Sequence, residues 1–589
     1  MRSTFVRLLI IAGLVAGPLL PSTTFAQQPQ GQQPQGQQRR APDQGRQAGP
    51  RGPQAPTVWG FYIGAQIAER GRDFDSAHDL IEQALRREPN DPDLAQTAFR
   101  LRLLVGKVTA AADLAQRRLG NDSTSGLANL AIGVAALKRG DMKAAETSLL
   151  RLTQDVDLGL LRPYATAWLR AGQRDFAAAR SQLELARPKE GEKFLAPHLV
   201  VAASIDEMAG DRAEAEKKLR KALELDSDGM RTVLSVAGFL KRNGKAAEAR
   251  ELLRTYNSQH SDSIGMDALI ASDAAPKLPT AADGIADLLF DLAGAIASVQ
   301  REGASEMALV YARMALELKP DLDVARLLVA ELLENMDQNA KAIEMYQSID
   351  ALSPLQWRAR LRAAALLADN ARLDEALRIL RTMVNDRPER YDAAAALGDM
   401  LRSKERYEEA ATAYDTAISR IKQLDKRHWP LLYARGIVEE RTKQWDKAEA
   451  DFNKALELEP DQAYVLNYLG YSWIDRGMNL DKGMKLLLRA NELKTNDGAI
   501  TDSVGWAYYR LGQYDKAVEW LEKAIELKAD DATIVEHLGD AYWQVGRRRE
   551  ARFQWERALR QKPEQDRIEP IKAKLSDGLK AEAPSGTKQ

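Results

Sequence analysis

Small residues recur along this chain with a period of 34. Ala308, Ala342, Ala376 and Ala410 follow one another at that interval, and Pro320, Pro354 and Pro388 keep the same spacing. Gly505 and Gly539, Ala517 and Ala551, and Ala524 and Ala558 repeat it further on. Three residue types held in register mark a repeated supersecondary unit. The pattern predicts two helices per unit joined by a tight turn, for which Gly512 and Gly546 supply the backbone freedom. Small residues let the two helices approach closely, and a proline stops the second helix before the next begins. One large side chain per unit fills the layer beside the small ones: Tyr346, Leu380, Tyr414, Phe452, Leu521 and Trp555. A single unit cannot bury its apolar face alone, so neighbours must stack.

The clearest unit is GWAYYRLGQYDKAVEWLEKAIEL, Gly505 to Leu527, followed by GDAYWQVGRRREARFQWERAL, Gly539 to Leu559. Numbered so that Gly505 is eighth, Tyr508 falls at eleven, Gly512 at fifteen, Ala517 at twenty, Leu521 at twenty-four and Ala524 at twenty-seven. In these positions the chain resembles the tetratricopeptide-repeat family. The resemblance implies an all-α solenoid superhelix of about fourteen helix-turn-helix units between Thr57 and roughly Leu575. Ala77, Gly133, Ala145, Ala215, Ala249, Gly398, Gly436 and Gly470 anchor further units, and Gly483 stands where alanine is usual. Ala410 and Ala448 are 38 apart, an insertion that contains Lys426, Arg427 and His428.

Residues 57–260 read as an N-terminal array and 285–575 as a C-terminal one. Between them, residues 261–284 lose the helical period and gain Pro276 and Pro279, and so read as a connection between two lobes, the alternative being one continuous superhelix with an ornamented loop. Residues 576–589 form a polar tail. At the start, Arg2 and Arg7 precede the apolar stretch Leu8 to Leu20, and Thr24-Phe25-Ala26 ends it. Residues 1–26 therefore read as a secretory signal peptide, too short in apolar length for a span that needs roughly 20 residues. Residues 27–56 are mostly Gln, Pro, Gly, Arg and Ala, the composition of a disordered tether. Arg39, Arg40, Arg46 and Arg51 outnumber Asp43 there, so the tether could touch an anionic envelope surface. These features set the expectation of a periplasmic protein with no transmembrane segment in its mature chain.

Lysine and arginine number 84 against 85 acidic residues, without the basic excess of a nucleic-acid binder. The chain has no cysteine, which excludes disulfides, thiol catalysis and thiolate metal sites, and predicts that it is not a lipoprotein. His78, His198, His260, His428 and His537 are scattered over different units with no metal-ligand spacing. No nucleophile elbow or phosphate loop is present, so the sequence predicts a non-enzyme without cofactor or metal.

In solenoids of the resembled family the first helix of each unit lines a concave groove at positions two, five, nine and twelve. Carried onto this chain, those positions give Tyr464, Asn467, Tyr471 and Ile474, then Asp502, Trp506 and Tyr509, then Glu536, Asp540 and Trp543. Aromatic residues dominate binding energy where they are desolvated. The acids between them would favour a partner segment carrying Lys or Arg. The family's clamp for a terminal carboxylate needs Lys and Asn at positions five and nine. Here those positions hold Tyr433 and Ile437, Asn467 and Tyr471, Asp502 and Trp506, and Glu536 and Asp540, which predicts no such clamp. The repeat region also resembles long exported tetratricopeptide proteins of Gram-negative bacteria. Gly505 to Leu559 is similar to the C-terminal units of outer-membrane adaptors of carboxyl-terminal processing proteases. That implies a scaffold in the cell envelope presenting cargo to a protease, although those adaptors are lipoproteins and this chain has no cysteine to acylate. The rival expectation is a component of envelope polysaccharide assembly or export.

Overall fold

A computed structural model describes residues 57–118, 125–152, 161–188, 194–260, 266–299 and 301–579. The signal segment, the tether, residues 261–265 of the connection and the end of the polar tail lie outside them. Among the described residues every regular element is helical: thirty α-helices and one 3-10 turn, Lys426–His428. The chain divides into two compact units, the first running to Leu373 and the second starting at Asp374.

Unit 1 opens with six hairpins. They are α1 (Val58–Arg70) with α2 (Phe74–Arg87), α3 (Pro92–Leu104) with α4 (Val108–Arg118), and α5 (Gly126–Lys138) with α6 (Met142–Leu150). The next three are α7 (Leu161–Gly172) with α8 (Phe176–Leu185), α9 (Leu195–Ala209) with α10 (Arg212–Leu225), and α11 (Met230–Arg242) with α12 (Ala246–Gln259). After the short α13 (Met266–Ala271) come α14 (Ala281–Ala297) with α15 (Ala304–Leu318), then α16 (Asp323–Asn335) with α17 (Asn339–Gln347), and α18 (Gln356–Asp369). An aspartate at the turn starts four of the second helices. Asp73, Asp141, Asp175 and Asp211 each accept a hydrogen bond from a main-chain N–H in the first turn of α2, α6, α8 and α10.

The break after residue 260 does not begin a separate lobe. Thr280 and Asp283 form a capping box that starts α14 at once, so Gly284, expected in the connection, is helical. The hairpin α14–α15 then packs back onto first helices of the opening array, α14 on α7 and α15 on α3 and α5. Close approach requires Gly284, where a Cβ would overlap the Trp168 indole, and Gly172, where a Cβ would lie 3.1 Å from that of Ala281. Thr109 and Lys138 bind Glu317 of α15 at 2.5 and 2.8 Å, and Arg231 pairs with Asp291 of α14. The loss of period is local, and the division of the chain falls about ninety residues later than residue 284.

The second unit begins in α19 (Leu373–Asp386), whose first residue is the last of unit 1. Five hairpins follow, α20 (Asp392–Ser403) with α21 (Tyr407–Ser419), α22 (Trp429–Arg441) with α23 (Trp445–Leu458), and α24 (Ala463–Asp475) with α25 (Leu480–Leu493). The last two are α26 (Gly498–Arg510) with α27 (Tyr514–Leu527) and α28 (Ala532–Gln544) with α29 (Arg548–Arg560), and α30 (Gln565–Asp577) closes the unit. Inside each hairpin the small and large positions meet as the spacing requires. A Cβ on Gly398, Gly436, Gly505 or Gly539 would come within 2.6–2.7 Å of Tyr414, Phe452, Leu521 or Trp555 respectively. Those four large side chains are fully buried. Gly483 has the same cause: a Cβ there would lie 2.9 Å from Ile474 and 3.0 Å from the Gly470 carbonyl.

Candidate polypeptide-binding surface

First helices of successive hairpins in unit 2 pack side by side, α20 on α22, α24 on α26 and α26 on α28. Their second helices make no comparable contacts. These first helices form one layer of the unit.

Aromatic rings line this layer in two groups. Tyr433 of α22 and Tyr468 of α24 meet edge to face at 6.0 Å, and both rest on the buried Phe452, at 6.0 and 5.1 Å. In the second group Trp506 lies between two rings, parallel to Tyr509 at 4.7 Å and to His537 at 4.0 Å. Tyr464 is the most exposed of the expected set, and Lys494 sits over its ring while donating to its hydroxyl at 2.8 Å. Tyr471 is half-buried against Ile474 and Val504. Burial raises its pKa, reinforced by the charges of Asp475 and Asp502 and opposed by Arg567. Ile474 itself is a core residue. Trp543 packs on Trp555 at 5.3 Å and covers Gly578, with Arg548 over its face.

The three acids sit deeper than a solvated wall would put them. Asp502 is buried and holds His537 Nδ1 at 3.0 Å. Burial alone would lower the His537 pKa, but Asp502, with Asp540 and Glu536 nearby, reverses that and raises it. Glu536 is 1% exposed and Asp540 3%. Arg567 donates to Glu536 at 2.7 Å, and Lys574 reaches Glu536 and Asp540, both at 2.6 Å. Trp555 Nε1 adds a hydrogen bond to Asp540 at 2.8 Å. Glu536 and Asp540 are thus paired with cations of α30, and Asp502 with His537.

Two polar atoms of the expected set meet no hydrogen-bonding group of the protein although they are buried: Asn467 Oδ1 and Trp506 Nε1. One is an acceptor and the other a donor. Glu439 of α22 was not singled out by the sequence. Its Oε2 is also unpaired, and burial together with the charge of Asp451 pushes its pKa up to about 7. Arg567 and Lys574 were missed as well, because they lie one repeat beyond the acids they bind. The spacing of Glu536 and Asp540 on one face, with cations about 34 residues on, was the available signal.

Comparison with known proteins bears on the repeat. Residues 505–546 match the family described as TPR repeat, and residues 429–462 and 361–425 match tetratricopeptide repeats. The TPR repeat-containing protein PA4667 of Pseudomonas aeruginosa is 28% identical over 194 residues, 33% of this chain and 32% of that protein. Human protein O-mannosyl-transferase TMTC3 is 27% identical over 185 residues, 29% of this chain and 20% of that protein. The matched part thus spans a third or less of either relative. Among solved structures, a tetratricopeptide repeat protein from Parabacteroides merdae is 16% identical, covering 42% of this chain and 95% of that one, with a TM-score of 0.36. YrrB, described as a TPR protein with an unusual peptide-binding site, is 23% identical over 33% of this chain and 95% of its own, with a TM-score of 0.26. By these family matches, residues 361–425, 429–462 and 505–546 are tetratricopeptide repeats.

Proposed function

We propose that this protein is a non-catalytic scaffold of the cell envelope and that the inner face of unit 2 grips a segment of a partner polypeptide. The observation that carries the reading is the pair of buried, unpartnered atoms Asn467 Oδ1 and Trp506 Nε1 beside half-buried aromatic rings. An unsatisfied buried polar group costs about 1–3 kcal/mol. A polypeptide main chain offers both the N–H that Asn467 lacks and the C=O that Trp506 lacks. The rings supply apolar contact at low entropic cost, as aromatic anchors do in protein interfaces. Export to the periplasm, and presentation of the gripped segment to a processing protease, belong to the same proposal; the N-terminal basic and apolar segments and the resemblance of residues 505–559 support them.

The test is crosslinking in intact cells followed by identification of what is held. Asn467→Ala with Trp506→Phe should reduce capture of a partner polypeptide at least about tenfold, the equivalent of about 1.4 kcal/mol. The helical circular dichroism should be preserved. Undiminished capture by the double variant, or capture of glycan alone, would overturn the reading.

A further inference from the structure

Helix α30, the last of unit 2, carries a helix-breaking residue in its interior. Pro570 lies inside it, which removes a main-chain hydrogen bond and crowds the preceding turn. Ile571 is its one fully buried side chain; Ile568 and Leu575 are half-buried and the rest is exposed or polar. It is held by Ile571 and Leu575 against the cluster around Trp555 and, on another face, by charge. Arg567 and Lys574, seven residues apart and therefore on one face, converge on Glu536, and Lys574 bridges on to Asp540. Those two carboxylates belong to the first helix of the last hairpin, in the layer that carries the unpartnered Asn467 and Trp506.

We propose that α30 is a detachable occupant of its own site, and that the inner face at α28 accepts in exchange a helical segment of a partner carrying two cations seven residues apart. This rests on the reading that the inner face of unit 2 binds a polypeptide, and it names the chemistry of that polypeptide. Charge complementarity selects the occupant. With α30 lifted away, Glu536 and Asp540 lose the cations that now bind them and open to solvent, and their charge favours a cationic ligand in its place. The apolar contact that Ile571 makes would be remade by an aliphatic side chain between the two cations.

The probe is a labelled synthetic peptide of residues 565–579, added to the full chain and followed by fluorescence anisotropy. Wild-type protein should bind it weakly, because the resident helix competes. Arg567→Gln with Lys574→Gln, which frees α30, should bind it at least about tenfold tighter, the discount that a competitor filling nine sites in ten imposes. Adding Glu536→Gln with Asp540→Asn should abolish the gain. Pro570→Ala, which strengthens α30 without touching the acids, should weaken peptide binding below wild type. Equal binding by wild type and the freed variant, insensitivity to the loss of the acids, or loss of Trp555 burial in the freed variant would each overturn the exchange. If the Asn467 and Trp506 variant still loses its partner, such a failure leaves the broader reading standing. If that variant keeps its partner, the broader reading falls instead.

Discussion

At the scale of single residues, glycine does two different jobs in the last two hairpins, and substitution separates them. Gly539 faces Trp555, and a methyl there would lie 2.6 Å from a fully buried ring that cannot yield. Gly539→Ala should cost about 1–3 kcal/mol by overpacking. Gly512 meets nothing within 4 Å but has φ +72°. Gly512→Ala should cost only about 1 kcal/mol, from the left-handed backbone. Urea titrations of the two variants, followed by intrinsic tryptophan fluorescence, check the order. Glu439 gives a pH test. Its folded pKa of about 7 lies above its ordinary value of 4.5, so the folded chain binds more protons than the unfolded one between those values. Stability is therefore lost as pH rises through that window. Glu439→Gln should raise the melting temperature at pH 8 and change it little at pH 4, measured by thermal melts at both.

At the scale of elements, the helices that most change the picture are those that fold back on first helices. In unit 1, α14 rests on α7 through Gly284 and Trp168, and α15 reaches α3 and α5. An alanine at Gly284 would displace Trp168 or separate the helices. Gly284→Ala should therefore speed amide exchange in α7, α14 and α15 by at least about tenfold, while α28 and α29 keep their protection. Uniform protection would show that the contact is slack. In unit 2 the corresponding element is α30, whose cations meet the acids of α28. Both cases carry one lesson. The first helices of a stack present a face that must be covered, and here parts of the chain itself cover some of it.

At the scale of the whole molecule, stacked hairpins make stability a sum of local and nearest-neighbour terms. Two compact units should then unfold in separate steps, and Gly539→Ala should lower the step that exposes Trp555 while leaving the step that exposes Trp168 within about 1 °C. Amide exchange resolved by segment through a melt measures both. The hairpins, their turns and their seams were legible in the sequence because they are local: small positions eight and twenty and the large one at twenty-four lie within one unit, and sterics leave them one arrangement. The aromatic wall was legible in part, since helical position tells which face a residue takes but not what comes to lie against it. Trp506 turned out to be sandwiched between Tyr509 and His537, Asp502 to be bound by His537, and Glu536 and Asp540 to be buried under cations of the chain itself. Where α14 packs, how far unit 1 extends, and what covers the acids are relations between segments tens to hundreds of residues apart. Periodicity carries no information about those distances. Only the tertiary fold, by choosing which helix faces meet, decided them.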